Sequence, residues 1–437
     1  MRLNWFSPLP PERTDIAHYT ARIAPALMQH FDVVFWTDLR AAAHELPVGA
    51  DVRIFDPERI DGRMFNSKLF DGLNVYNFGN DARFHAGIFR VARKIPGLAI
   101  LHDTRLHHFV YELFRNSNPP WAGYVELARE LYGRDGEAKA KQIIADEGRT
   151  IDEAVEKMPF VEAIADNALA AICHSKTAAA DVRLCSDAPI LTLPLPFASL
   201  APKPNVQRIW APPWRFVAFG YINPNRRLES IIHALADLRG TINFQLDVYG
   251  TLWDQTLIKS LIARSGLADH IKIHGFAREE KLDEAIASAH LAFNLRHPTM
   301  GEASGGILRN WAQATPTLVT NAGWYADLPD DVALKLSVKN ELADIRQALA
   351  RLNEHPDEFE KMGLAGRDWL ERKHSPNLYA ERLATALTDL PQLMTRYAGR
   401  RMLRNVADGS RSKEERRFLL DRAVDIIPTL FTSRLSR

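Results

Sequence analysis

Short apolar runs alternate with helical patterns along almost the whole chain, and this alternation restricts the fold more than any other feature. β-Branched and aromatic runs at residues 2–7, 32–37, 52–55, 73–78, 98–102, 170–174 and 189–193 read as strands. A second series occupies 215–219, 244–249, 271–274, 291–295, 317–320 and 333–336. Strands separated by helices pair through crossovers rather than hairpins, which gives parallel sheets with helices on both faces. A proline-rich stretch at 194–213 interrupts the series once and reads as a linker. The sequence therefore predicts an α/β chain of two Rossmann-like, doubly wound domains. They span 1–195, with a helical insertion at 105–160, and 214–390, with the linker at 196–213 between them. Such domains face each other across a cleft and bind ligands at the carboxyl ends of their strands.

Composition removes several function classes. A net charge of +1 over 437 residues argues against a dedicated nucleic-acid binder. The two cysteines, Cys173 and Cys185, make neither a disulfide framework nor a zinc-ligand spacing, and point to a reducing cytosol. The sequence shows no apolar run that reads as a signal peptide or a membrane span, so any membrane contact is expected to be peripheral. It has neither G-x-G-x-x-G nor G-x-x-x-x-G-K-[ST], which leaves nicotinamide and P-loop chemistry unsupported. It also lacks Asp-x-Asp, so no metal site is expected.

The chemistry concentrates at strand ends. Residues 294–329 read as a strand end, a small-residue loop, a helix and another strand. Gly301, Ser304, Gly305 and Gly306 let backbone amides converge on an anion at the helix N-terminus, with Glu302 the fixed charge beside it. An anion next to a carboxylate suggests a sugar phosphate; an ordinary strand-to-helix turn is the alternative. Gly220, Arg226 and Arg227 stand between the strand at 215–219 and the next helix, where guanidinium groups suit phosphate oxygens and an exposed helix start would also account for them. Gly275 and Phe276 follow another strand, where a plain turn accounts for them. In the first half, Asp15 opens a helix, where a capping role accounts for it. Gly79, Asn80, His85, His102 and Asp103 gather just past two strand ends.

The loop at 294–329 resembles the donor loop of glycosyltransferase family 4, retaining enzymes of GT-B fold. Glu302 matches the first acid of that family's pattern and Ala314-Thr315-Pro316 its end, while Asn310 stands where a second acid grips the ribose. In the loop after the strand at 215–219, Tyr221 takes the place of a family arginine and Arg226 that of a lysine, both on the donor diphosphate. Gly-Asn with His85, and Leu101-His102-Asp103, are similar to a branch of the same family. The resemblance implies a nucleotide diphosphate sugar as donor substrate, with no cofactor. Glu302 and His102 would lie at the reacting sugar. Gly220, Arg226, Arg227, Ser304, Gly305 and Gly306 would hold the diphosphate, and Gly275, Phe276 and Asn310 the nucleoside. Asp15, Gly79, Asn80, His85 and Asp103 would face a glycan or lipid-linked acceptor. A GT-B epimerase, a phosphorylase and a non-catalytic nucleotide- or glycan-binding relative stay open.

Residues 391–437 read as a helical extension. Between 396 and 437 there are eleven basic against five acidic residues, an excess of six positive charges. Phe418, Leu419, Ala423, Ile426, Ile427, Leu430 and Phe431 interleave with them at helical spacing. That pattern suits docking on the core or on the anionic inner face of a membrane.

Overall fold

The computed structural model describes residues 1–39, 46–61, 71–389, 392, 395–397 and 399. All the strands expected from the sequence form. The first seven are β1 (Arg2–Phe6), β2 (Asp32–Thr37), β3 (Asp51–Ile54), β4 (Leu73–Phe78), β5 (Leu98–Leu101), β6 (Ala170–Cys173) and β7 (Ile190–Thr192). They build one parallel sheet in the order β3-β2-β1-β4-β5-β6-β7. The other six are β8 (Trp214–Phe219), β9 (Phe244–Tyr249), β10 (Ile271–Gly275), β11 (Leu291–Asn294), β12 (Thr317–Thr320) and β13 (Leu334–Leu336). Their sheet is also parallel, in the order β10-β9-β8-β11-β12-β13.

Helices cover both faces of each sheet, so the central strands lose the polar-apolar alternation of a half-exposed strand. Every residue of β4, β5 and β6 is buried. Phe6 stacks on Trp36 with centroids 5.7 Å apart and meets Tyr76 at 4.9 Å. In the second sheet Phe216, Phe244 and Phe293 play the same part. Chain order reverses beside β1 in the first sheet and beside β8 in the second. Crossovers leave in opposite directions there, which opens a crevice at the carboxyl ends of β1 and β4, and of β8 and β11.

The chain divides into two compact units, Leu195–Leu378 and a first unit made of Met1–Pro194 and the described residues from Tyr379 on. The proline-rich residues 195–213 belong to the second unit, held by Arg208. Its guanidinium donates to the carbonyls of Ala287 (2.9 Å) and Ala314 (2.8 Å) and to the Thr315 hydroxyl (2.7 Å). The Ala287 carbonyl lies in the last turn of the helix Glu279–Ser288, where the helix dipole favours a cation, and Ala314 follows the end of the helix Gly305–Ala312. Burial pushes the Arg208 pKa down to about 10.

The expected insertion at 105–160 comprises the helices His107–Arg115, Ala122–Ala145 and Ile151–Ala154, and a further short helix, Glu162–Ala165, follows it before β6. His107 Nε2 and the Tyr124 hydroxyl, 2.7 Å apart, join the first two in its core. Among the described residues, no helix is long and apolar enough to cross a membrane. The basic segment 396–437 lies, apart from residues 396, 397 and 399, outside the described residues.

Candidate functional site

In the second unit the crevice beside β8 collects most of the residues expected at the diphosphate. β8 runs into Gly220, whose φ of 111° favours glycine and whose missing side chain leaves room 3.3 Å from Arg226 Nη2. Arg226 Nη1 donates to Asn294 Oδ1 at 3.1 Å, and Asn294 Nδ2 donates to Ser304 Oγ at 2.8 Å. Ser304 caps the helix Gly305–Ala312, accepting from the Ile307 amide. A Cβ on Gly306 would stand 3.3 Å from Asn294 Oδ1, whereas one on Gly305 would meet nothing within 4 Å. Arg226, Ser304 and Gly306 thus surround the buried Asn294 amide, with Gly220 against the arginine and a helix N-terminus opening beside it. That combination of guanidinium and aligned peptide dipoles is what a phosphate requires. Asn294 carries the arrangement, although its sequence signal was only a polar residue ending an apolar strand.

Two hydrogen bonds, one of them from a side chain, fix the loops on either side. The His297 amide donates to the Asn225 carbonyl at 2.8 Å, and Asn225 Nδ2 to the Pro298 carbonyl at 3.3 Å. Arg227, expected beside Arg226, is not part of the cluster. Its backbone is left-handed (φ 59°), which turns the side chain onto buried Glu341, with Nε 2.9 Å from Oε1.

Glu302 sits on the same loop, folded back on it. Oε2 accepts from the Met300 amide (2.6 Å) and the Thr299 hydroxyl (2.9 Å), and Oε1 lies 2.5 Å from Arg296 Nη1. The carboxylate expected at sugar hydroxyls is therefore engaged by its own loop. Arg296 escaped sequence reasoning because only loop closure, with Gly301 at φ 78°, brings residues six apart into contact.

The nucleoside candidates divide. Gly275 has φ 68°, and its carbonyl accepts from Gly250 N–H at 2.6 Å; Gly250 in turn packs on the Gly220 carbonyl, so three strand ends form a row of glycines. Phe276 beside them is 65% exposed. Asn310, expected on the ribose, is fully buried in its helix, and its amide atoms have no hydrogen bond among the described residues. It lines no open surface, because the helix face it occupies is turned inward.

In the first unit the strand ends of β4 and β5 bring together Gly79, Asn80, His85, His102 and Asp103. A Cβ on Gly79 would lie 3.0 Å from His85 Nε2 and 3.3 Å from Asp103 Oδ2. The Asn80 amide donates to Asp103 Oδ2 at 2.8 Å, and Asn80 Oδ1 accepts from the Phe109 amide at 2.9 Å. His102 Nε2 meets Asn77 Oδ1 at 3.1 Å. Burial, with His174 and His85 nearby, holds the His102 pKa well below the usual range, and burial brings His85 to about 4. Tyr19 stands edge-on to His102 at 4.6 Å, His174 lies 5.0 Å from it, and the Tyr19 hydroxyl donates to that of Tyr379 at 3.0 Å. Sequence reasoning missed Asn77, Tyr19, His174 and Tyr379. Only His174 carried a signal, as a histidine directly after β6, just as His102 follows β5. Asp15 stands apart, exposed in the first turn of Asp15–His30, where Thr14 holds the cap position. It therefore does not cap that helix.

No protein-family model matches the chain, and no curated protein matches its sequence. Solved structures match its fold. Alr3699/HepE of Anabaena, solved with UDP, is 12% identical with a TM-score of 0.59 over 89% of this chain and 99% of that one. The same protein with UDP-glucose matches at the same identity and TM-score. Sucrose-phosphate synthase of Thermosynechococcus elongatus is 15% identical, with a TM-score of 0.57 over 89% and 99%. WaaG, a glycosyltransferase involved in lipopolysaccharide biosynthesis, is 13% identical, with a TM-score of 0.54 over 89% and 100%. The likeness is one of fold: two parallel-sheet α/β domains of the GT-B type.

Proposed function

We propose that this chain is a metal-independent, retaining glycosyltransferase of the family 4 type. It would move a sugar from a nucleotide diphosphate sugar to a glycan or lipid-linked glycan in bacterial surface polysaccharide synthesis. The observation that carries this reading is the Arg226–Asn294–Ser304 chain of hydrogen bonds at a helix N-terminus, with Glu302 on the same loop. The UDP-glucose held by HepE and the lipopolysaccharide role of WaaG support the donor and acceptor classes. The lack of an Asp-x-Asp motif supports transfer without a metal.

On this reading, Arg226 and the amides at Ser304, Gly305 and Gly306 meet the negative charge that grows on the leaving diphosphate as the bond from the anomeric carbon to phosphate oxygen breaks. Donors already in place for that charge are the largest expected catalytic contribution. The acceptor oxygen bonds to the anomeric carbon on the same face, and its proton passes to the departing phosphate. Glu302 stabilises the positive sugar. The enzyme would work at the inner face of the cytoplasmic membrane, with 396–437 as its contact.

The engagement of both Glu302 oxygens by their own loop favours one second reading, a nucleotide-binding relative without transfer. Calorimetry with a panel of nucleoside diphosphates, then turnover of the matching donors with candidate acceptors followed by anomeric NMR, separates the two. A product of retained configuration supports transfer. An inverted product overturns the retaining mechanism, binding without turnover selects the second reading, and no binding across the panel overturns both.

A further inference from the structure

Asn77, in β4, touches three groups at once, and the chemistry of one of them fixes the others. Its side chain is fully buried. Nδ2 lies 3.0 Å from the Phe6 carbonyl at the end of β1. A backbone carbonyl only accepts, so the amide end facing it is the NH2 group, and Oδ1 is the end facing His102. Oδ1 also only accepts. His102 Nε2, 3.1 Å away, must therefore carry the hydrogen. Nδ1 of the same ring makes no hydrogen bond among the described residues, and His102 is only partly buried. The Asn77 backbone carbonyl, meanwhile, accepts from His85 Nδ1 at 3.1 Å, which fixes that ring in the opposite tautomer. One strand residue thus sets the hydrogen positions of two imidazoles at the carboxyl edge of the first sheet.

We infer that Asn77 is a positioning residue: it locks His102 as the neutral Nε2–H tautomer, so that Nδ1 presents a lone pair to a hydroxyl group of the sugar. The inference rests on the transferase reading for the identity of that hydroxyl, and on the hydrogen-bond chain alone for the tautomer. Burial beside His174 and His85 supports it by disfavouring an imidazolium. With the wrong tautomer, Nδ1–H would meet the hydroxyl and Nε2 would face Asn77 Oδ1 lone pair to lone pair, so ring and amide would both lose their partner.

Two-bond proton–nitrogen correlation on the full chain, labelled with 15N-histidine at pH 7, reads the tautomer directly. His102 is assigned by the resonances lost in His102→Gln. The expected pattern is a protonated nitrogen at Nε2 and an unprotonated one at Nδ1. The reversed pattern, or that of an imidazolium, overturns the inference. Asn77→Ala should turn the His102 signals into an average of both tautomers; an unchanged pattern removes Asn77 from the role. Should that variant not fold, the wild-type spectrum still decides the tautomer. In transfer assays Asn77→Ala should lower kcat at least tenfold, with the Kd for UDP as probe unchanged, since Arg226 and Ser304 are untouched. Equal loss of both would make Asn77 structural. If the chain transfers no sugar at all, the spectra still test the tautomer while the transferase reading alone falls.

Discussion

The Arg296 guanidinium lies 2.5 Å from the Glu302 carboxylate, and both side chains are largely withdrawn from water, at 15% and 10% exposure. Removing one member of such a pair leaves the other charge uncompensated, which costs about 3–5 kcal/mol in buried settings. Arg296→Met should therefore destabilise the fold by that order. Adding Glu302→Gln should recover part of the loss, with a coupling of about 1 kcal/mol or more in urea unfolding. Strictly additive single effects would mean that the pair does not act as a unit.

Glu302→Gln should remove most sugar transfer while nucleotide diphosphate affinity stays within a few-fold. The carboxylate is assigned to the sugar, and the phosphates are assigned to Arg226 and the helix amides. Single-turnover transfer and equilibrium binding, measured side by side, check this. Undiminished transfer by the variant takes Glu302 out of the mechanism.

Arg226→Ala should weaken nucleoside diphosphate binding by roughly 1.5–3 kcal/mol, the worth of a hydrogen bond to a charged group. Free nucleoside should bind as before. Calorimetry with both ligands decides, and an equal loss for the two would place the phosphate elsewhere.

Acid should destabilise the first unit through its buried histidines. His85, held to about 4 by burial, and His102, also depressed, take up protons more readily in the unfolded chain than in the folded one. Their contribution is complete above the ordinary histidine pKa of 6.5 and is lost as pH falls from there towards about 4. Urea midpoints should fall across that window, and His85→Gln should flatten the slope. A midpoint constant from pH 7 to pH 4.5 would contradict the assignment.

The basic segment 396–437 should bring the full chain down with anionic vesicles at low salt and release it at high salt, each basic residue at the surface adding about 1 kcal/mol. Neutral vesicles, and a chain truncated after Gln392, should show little binding. Absent or salt-insensitive cosedimentation of the full chain would end the membrane reading.

The strands were legible because buried parallel strands are apolar throughout, as in Leu98–Leu101 and Ala170–Cys173. Phosphate-type residues were legible for a similar reason: glycine, serine and arginine cluster where a strand meets a helix. Asn77 and Asn294 were not, since a buried asparagine in a strand shows its purpose only when the groups it bridges are known. The different fates of Arg226 and Arg227 hang on one left-handed backbone angle, for which adjacent identical residues give no sign. The Arg296–Glu302 contact depends on a loop closing over six residues, and charge spacing alone does not report that. Arg208 looked like one more charge in a proline-rich segment, yet it gathers carbonyls from one helix end and from the turn after another.

Because the chain re-enters the first unit at Tyr379, the second unit is a cassette with two seams rather than a terminal module. Recombining it with that of another chain takes two crossovers. The seam at Pro194 falls between residues of irregular backbone, but the other falls within the helix Pro376–Ala386, whose Tyr379 hydroxyl must still find that of Tyr19. A graft that shifts this helix by one residue rotates the tyrosine about 100° around the axis and forfeits the bond. Chimaeras should therefore tolerate variable lengths at the first seam and demand strict register at the second.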